Sequence, residues 1–185
     1  MSRLVSWKKS FEDSSNSFEK AFAQLTSAEL NWAPNDSAWS IGQVIDHLIR
    51  INESYYPVLD ALRNGRHSTP WIGKLGFITS FFGRFILASV EPERRKRMKT
   101  FPIWEPTSSA VADDIVEQFS AHHRTLISKL DANADLFSKG VIISSPANRY
   151  VVYHLDTAIE ILIQHEKRHY NQALEVLALQ KGTQF

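Results

Sequence analysis

Three observations predict an all-α protein, a four-helix bundle with long crossover connections. Four segments carry apolar residues at alternating three- and four-residue steps, which line one face of an α-helix. Capping and breaking residues bound most of these segments. The one short extended candidate, VIIS at 141–144, has no partner strand in view. At 185 residues the chain is long enough to bury a full core, and it reads as a single domain over 1–185.

Leu4, Trp7, Phe11, Phe18, Phe22 and Leu25 trace the first helix, with Ser14 filling the missing step. Asn31 to Trp39 (NWAPNDSAW) is a turn region by its Pro, Asn and Asp. Ser40 followed by Gln43 is a capping box that opens the second helix near Ile41. Its stripe runs Ile41, Val44/Ile45, Leu48, Ile51, Tyr55, Val58/Leu59 and Leu62, and Asn64-Gly65 ends it. His47 lies at the inner edge of that stripe.

Residues 66–107 form a long connection. Trp71, Leu75, Ile78, Phe82 and Phe85 keep helical spacing, so a short helix is expected within it. Lys74, Arg84 and three glycines argue against a membrane span. Arg94, Arg95, Lys96, Arg97 and Lys99 are expected to form a solvated flap over the bundle mouth. One short charge run without interleaved aromatics is weak evidence for nucleic acid or a membrane surface. Pro102 and Pro106 keep the following chain extended.

Thr107 to Ser109 are expected to cap the third helix, with Asp113 and Asp114 in its first turn. Its stripe is Ala112, Ile115/Val116, Phe119, His122/His123, Leu126 and Leu130, and one of the two histidines should face inward to a core hydrogen bond. Residues 131–150 read as a loop with Gly140 and Pro146. The fourth helix has the longest stripe: Val151, Leu155, Ala158, Leu162, His165, His169, Gln172, Val176 and Leu179.

Composition narrows the chemistry. The net charge of +1 points to no nucleic acid or acidic partner. With no cysteine, disulfides, thiolate ligands and a protein thiol nucleophile are excluded, leaving imidazole and carboxylate for metals. The polar N-terminal residues offer no signal-peptide apolar core, so a cytoplasmic location is expected.

Against that background the fourth stripe is unusual, because it sets two histidines and a glutamine on the face that should be buried. His165 and His169, at i and i+4, place two imidazoles on adjacent turns, the spacing that grips one metal ion from a helix. In a bundle, His47 can meet them across the core and complete a three-imidazole site with open positions for water or substrate. Glu166 is the candidate base or supporting contact, and Gln172 the candidate for orienting a ligand or nucleophile. The plainer readings are an exposed helix glutamate paired with a cation and an interhelical hydrogen bond. Asp46 and Asn52 flank His47 and are candidates to support an imidazole N–H. HEKRH also fits the H-E-x-x-H motif of metalloproteases, but such enzymes need a third ligand downstream. Only 16 residues follow His169, with no His among them and Glu175 their only carboxylate.

Three segments, taken in order, resemble the DinB-like (damage-inducible) superfamily of metal-binding four-helix bundles. They are PNDSAWSIGQVIDHL, with a Trp-Ser capping turn before a helical His-Leu; KTFPIWEPTSS, a Pro-rich entry to the third helix; and HEKRHYNQ, a His-x-x-x-His-x-x-Gln. The resemblance implies a metal triad of His47, His165 and His169 holding zinc or nickel, long crossovers, and a homodimer. It also implies activities of two kinds, low-molecular-weight-thiol S-transfer or isomerisation and hydrolysis. The metal would act as a Lewis acid, lowering the pKa of a water or a small thiol. The expected function is therefore a metal-dependent hydrolase or thiol S-transferase acting on a small electrophilic substrate, with no nucleic-acid or membrane partner. The rival expectation is a non-catalytic metal- or ligand-binding stress-response module.

Overall fold

Alternating apolar steps do become helices along most of the chain. A computed structural model describes residues 3–68, 71–74, 76–92, 100–107 and 110–182, with the backbone only at Ile72 and Lys74. The basic run from Arg94 to Lys99, Leu75 and the expected caps Ser108 and Ser109 lie outside the described residues. The protein is mostly helical with one small two-stranded sheet.

Helix α1 (Arg3–Phe22) buries Trp7, Phe11, Phe18 and Phe22. The short α2 (Ser27–Asn31) follows a capping box of Thr26 and Glu29. Helix α3 (Ile41–Ser54) opens on the expected box, in which the Ser40 hydroxyl accepts from Gln43 N and the Gln43 side chain accepts from Ser40 N. The second helix is not continuous: it breaks at Tyr55 and resumes as α4 (Tyr56–Arg63). Pro57 explains the break, because it has no N–H to return to the carbonyl one turn back.

Helix α5 (Gly76–Ser89) realises the short helix expected in the long connection. The third long helix, α6 (Ile115–Ala132), starts later than the expected cap, with Asp114 at its N-cap and Asp113 outside it. Asn31 supplies a reason, since its side chain accepts from Val111 N and donates to Val111 O, pinning that backbone before the helix begins.

The largest correction falls between α6 and the last helix, α7 (Leu155–Gln180). Residues 151–154 are extended, not helical. Strands β1 (Ile142–Ser145) and β2 (Asn148–His154) pair antiparallel, with Ile143 opposite Tyr153 and Ser144 opposite Val152. Val151, Val152, Ile142 and Ile143 are β-branched and pack well on a pleated surface. Val151 fitted the helical stripe by spacing alone.

α1 and α3 each pack against both α6 and α7. Their apolar faces form two clusters, not one core. Trp7, Phe11, Leu126, Leu130, Ile159 and Leu162 belong to the first. Phe18, Phe22, Ile45, Phe119, Ala173 and Val176 belong to the second. Between the clusters every long helix turns polar, with Ser15 on α1, His47 and Asn52 on α3, His122 and His123 on α6, and His165, Glu166 and His169 on α7. The Ser14 step noted in the sequence falls at this height.

α5 leans on β2 and α7. Gly83 permits the approach, since a Cβ there would meet Thr157 Cγ2 at 3.2 Å. Among the described residues no helix is long and apolar enough to cross a membrane.

Candidate metal centre

The polar tier divides into two groups of side chains, and only one of them faces open space. His47, His165 and His169 converge, each offering a ring nitrogen, and those nitrogens lie within 4.8 Å of one another. The two Nε2 atoms of His165 and His169 are 3.1 Å apart. Two ligands about 2.1 Å from a zinc-sized ion at a tetrahedral angle would sit roughly 3.4 Å apart, so the pair is already near ligating separation.

The chemistry of the donors also fits a cation. His47 Nδ1 lies 2.6 Å from the Trp104 carbonyl, which can only accept. The proton of the neutral ring is therefore on Nδ1, and Nε2 carries a lone pair. A metal-binding imidazole is fixed by this kind of contact from its other nitrogen. Burial pushes the His47 pKa down to about 4, with the Trp104 hydrogen bond opposing the shift. His165 and His169 are held well below the usual imidazole range, first by burial and then by the neighbouring rings. All three are neutral near pH 7, the state that ligates.

The trio forms part of the wall of a cavity of about 500 Å³. Aromatic and aliphatic side chains make up most of the rest, including Trp39, Ile51, Phe82, Trp104 and Leu162. Trp39 stacks on His169 with centroids 6.0 Å apart and leans on His47 at 4.7 Å. Gln172 stands on the wall beside the trio, where sequence spacing put it. Arg168 also lines the cavity and donates to the Ser89 carbonyl, tying α7 to the end of α5. At the far side Tyr55 and Tyr153 share a hydroxyl–hydroxyl bond of 2.6 Å.

Glu166 belongs to the other group. It is 1% exposed, and its Oε1 accepts from Asn52 Nδ2 at 2.7 Å and meets His123 Nε2 at 2.9 Å. His123 Nδ1 meets Ser15 Oγ at 2.6 Å. Burial pushes the Glu166 pKa up, but the charge and hydrogen bond of His123, with the Asn52 contact, outweigh it and leave a net depression. The glutamate is thus neither exposed nor among the residues lining the cavity, and the helical turn that aims His165 and His169 at the cavity aims Glu166 elsewhere.

Asn52 serves Glu166, and Asp46 accepts from Arg50 and Thr107 N; the hydrogen bond to His47 Nδ1 comes instead from the Trp104 carbonyl, and Asp46 reaches His47 only through its charge. Both His122 and His123 are buried, not one of them; His122 hydrogen-bonds Tyr56 at 2.9 Å. Sequence reading did not assign Trp39, the Trp104 carbonyl, Arg168 or the tyrosine pair to the site. Only the position of Trp39 just before the Ser40 cap hinted at its place.

No curated protein and no solved structure matches the chain. The DinB superfamily model does match, over residues 10–173. That span contains His47, His165 and His169 together with most of the helical scaffold that carries them, and the chain belongs to the DinB superfamily.

Proposed function

We propose that this protein is a metal-dependent enzyme on a four-helix-bundle scaffold, formed by α1, α3, α6 and α7 with long crossovers. His47, His165 and His169 are its ligands, and its reaction is transfer of a low-molecular-weight thiol to a small electrophile. The convergence of three neutral imidazoles on the wall of an apolar cavity carries the proposal. A divalent ion such as zinc or nickel, when bound, would supply Lewis acidity, lowering the pKa of a small thiol or a water.

The rest of the chemistry falls to the chain. The largely apolar cavity wall would present aromatic faces to the electrophile. Gln172 lines the cavity with the trio and would orient a polar group there. Among the described residues the wall carries no carboxylate that could serve as a general base. Thiol chemistry needs such help less than hydrolysis does, because a thiol starts near pKa ~8.5 while bulk water starts near 15.7. With no cysteine in the chain, the thiol must arrive as a co-substrate.

The test is metal analysis of the untagged chain, followed by two activity screens. One ion per chain is expected, lost in His47→Ala and His165→Ala. A panel of small thiols with a chlorodinitrobenzene electrophile should turn over, and p-nitrophenyl esters without thiol should not. Sub-stoichiometric metal unaffected by His47→Ala would remove the site. Ester hydrolysis without thiol would keep the site and replace the reaction.

A further inference from the structure

Large hydrophobic side chains left in water are not scattered over this protein. Of nine among the described residues, six come from the long connection: Trp71, Phe77, Phe81, Phe85, Phe101 and Ile103. Phe77, Phe81 and Phe85 follow one another at four-residue steps and form a stripe down the outer face of α5. They are 73%, 58% and 52% exposed, and Phe81 stacks on Phe85. Trp71 is 71% exposed on the turn that packs beside α5. The inner face of the same helix is spoken for by β2 and α7, so the stripe is a second, unpartnered face. A contiguous apolar patch of this kind marks an interaction surface.

Charge identifies what covers it. α5 carries one ionisable side chain, Arg84, which is exposed between Phe81 and Phe85, and it carries no carboxylate. The connection 66–107 as a whole holds eight Lys and Arg against three Glu, a surplus of five in a chain whose net charge is +1. The remainder of the protein is therefore acidic. Five of those cations, from Arg94 to Lys99, lie outside the described residues and contribute only the sign of their charge. An aromatic stripe carrying an exposed arginine, on a segment whose sequence holds a surplus of cations, is a pairing that suits a helix lying in the plane of an anionic membrane surface, where burial of rings and attraction to lipid headgroups act together. Fourteen residues rise only about 21 Å, short of the roughly 30 Å needed to span, so α5 can lie on a bilayer but not cross it.

We propose that the outer face of α5 docks on an anionic lipid bilayer. The expectation of no membrane contact rests on a basic run without interleaved aromatics; the exposed face of Phe77, Phe81 and Phe85 is the observation that favours contact. Phe85 and Phe101 are each about half exposed and also line the cavity, so docking sets the cavity mouth at the membrane surface. The docking face does not involve the imidazole trio, and it stands with or without metal. A second copy of the chain is the rival occupant. A two-fold axis through the stripe would press Arg84 toward its own mate with no carboxylate on α5 to separate them.

Flotation of the full chain with lipid vesicles tests this. The protein should float with phosphatidylcholine vesicles containing about one-third phosphatidylglycerol and not with phosphatidylcholine alone, and added salt should reduce binding. Phe77→Ser/Phe81→Ser should weaken binding at least about tenfold, as expected for withdrawing two phenyl rings from the interface. Arg84→Glu should weaken it as well. Both sites are exposed, and an unchanged melting curve confirms that the variants fold. Failure to float with the anionic vesicles, or equal binding by the double serine variant, overturns the proposal. So does a wild-type dimer that binds no vesicles and that the double serine variant converts to monomer.

Discussion

Replacing Glu166 by alanine separates a structural carboxylate from a catalytic one. In the native chain Oε1 serves two buried groups, Asn52 Nδ2 and His123 Nε2, and all three residues are 1% exposed. Alanine strands both partners, at about 1–3 kcal/mol for each unsatisfied buried group. Breaking one side of a buried charge-assisted pair costs about 3–5 kcal/mol in other proteins, and the two figures agree. For a domain of this length about 2–4 °C of melting temperature accompanies each kcal/mol, so Glu166→Ala should melt roughly 6–20 °C lower. Glu166→Gln should fall between, because it keeps an acceptor but buries an amide N–H₂ in place of the second oxygen. The assay is thermal unfolding at neutral pH beside metal analysis below the transition, and metal per chain should be unchanged. A variant that melts within about 1 kcal/mol of wild type yet loses turnover would refute this reasoning and return Glu166 to the reaction.

Three further outcomes follow from the same packing. In metal-free protein, burial lowers His47 and His122 to about 4 from 6.5. The unfolded chain therefore holds more protons between those values; stability is complete above about pH 6.5 and lost as pH falls toward 4, by about 3 kcal/mol for each ring. A melting temperature flat from pH 7 to about 4.5 in the metal-free chain contradicts this. Gly42→Ala should lower stability by about 1–2 kcal/mol in urea unfolding despite its better helix propensity, because its Cβ would run into Val111 Cγ2 and crowd the Leu30 carbonyl. Tyr153→Phe should cost about 1–2 kcal/mol by stranding the Tyr55 hydroxyl and Tyr55→Phe less, because Tyr153 keeps its bond to Ser145, while the double variant costs less than their sum. A strictly additive double variant would show that the 2.6 Å bond is not shared.

Which parts were legible in the sequence depended on how far apart the interacting residues lie. His165 and His169 are one turn apart, so spacing alone put them on one face. The Ser40–Gln43 box is three residues long and forms as read. Events with distant partners could not be seen. The partner of His47 Nδ1 is a backbone carbonyl 57 residues away, which no side-chain pattern encodes. The start of α6 is displaced by Asn31, 80 residues upstream of Val111. Val151 satisfies a helical step and a strand alternation equally, and the tie is broken by Ile142 and Ile143 across a hairpin. Helical spacing leads to the expectation that one of His122 and His123 faces inward. With different neighbours on α4 and α7 to receive them, both are buried.

The bond between His47 and Trp104 would give the connection a thermodynamic stake in any ion held by the trio. Because the acceptor is main chain, a substitution of the Trp104 side chain acts on it only by moving the turn Pro102–Trp104, which the indole helps to hold by donating to Ser54 Oγ at 3.1 Å. The same bond makes ion binding and turn position a linked pair. If the trio holds an ion, a ligand that displaces Phe101 or Trp104 would alter that ion's retention, and the ion would alter the affinity for that ligand by the same factor. The Trp104 amide, which bonds the Phe101 carbonyl at 2.9 Å, reports on this coupling: its hydrogen exchange should slow on metal loading and respond again when the cavity fills.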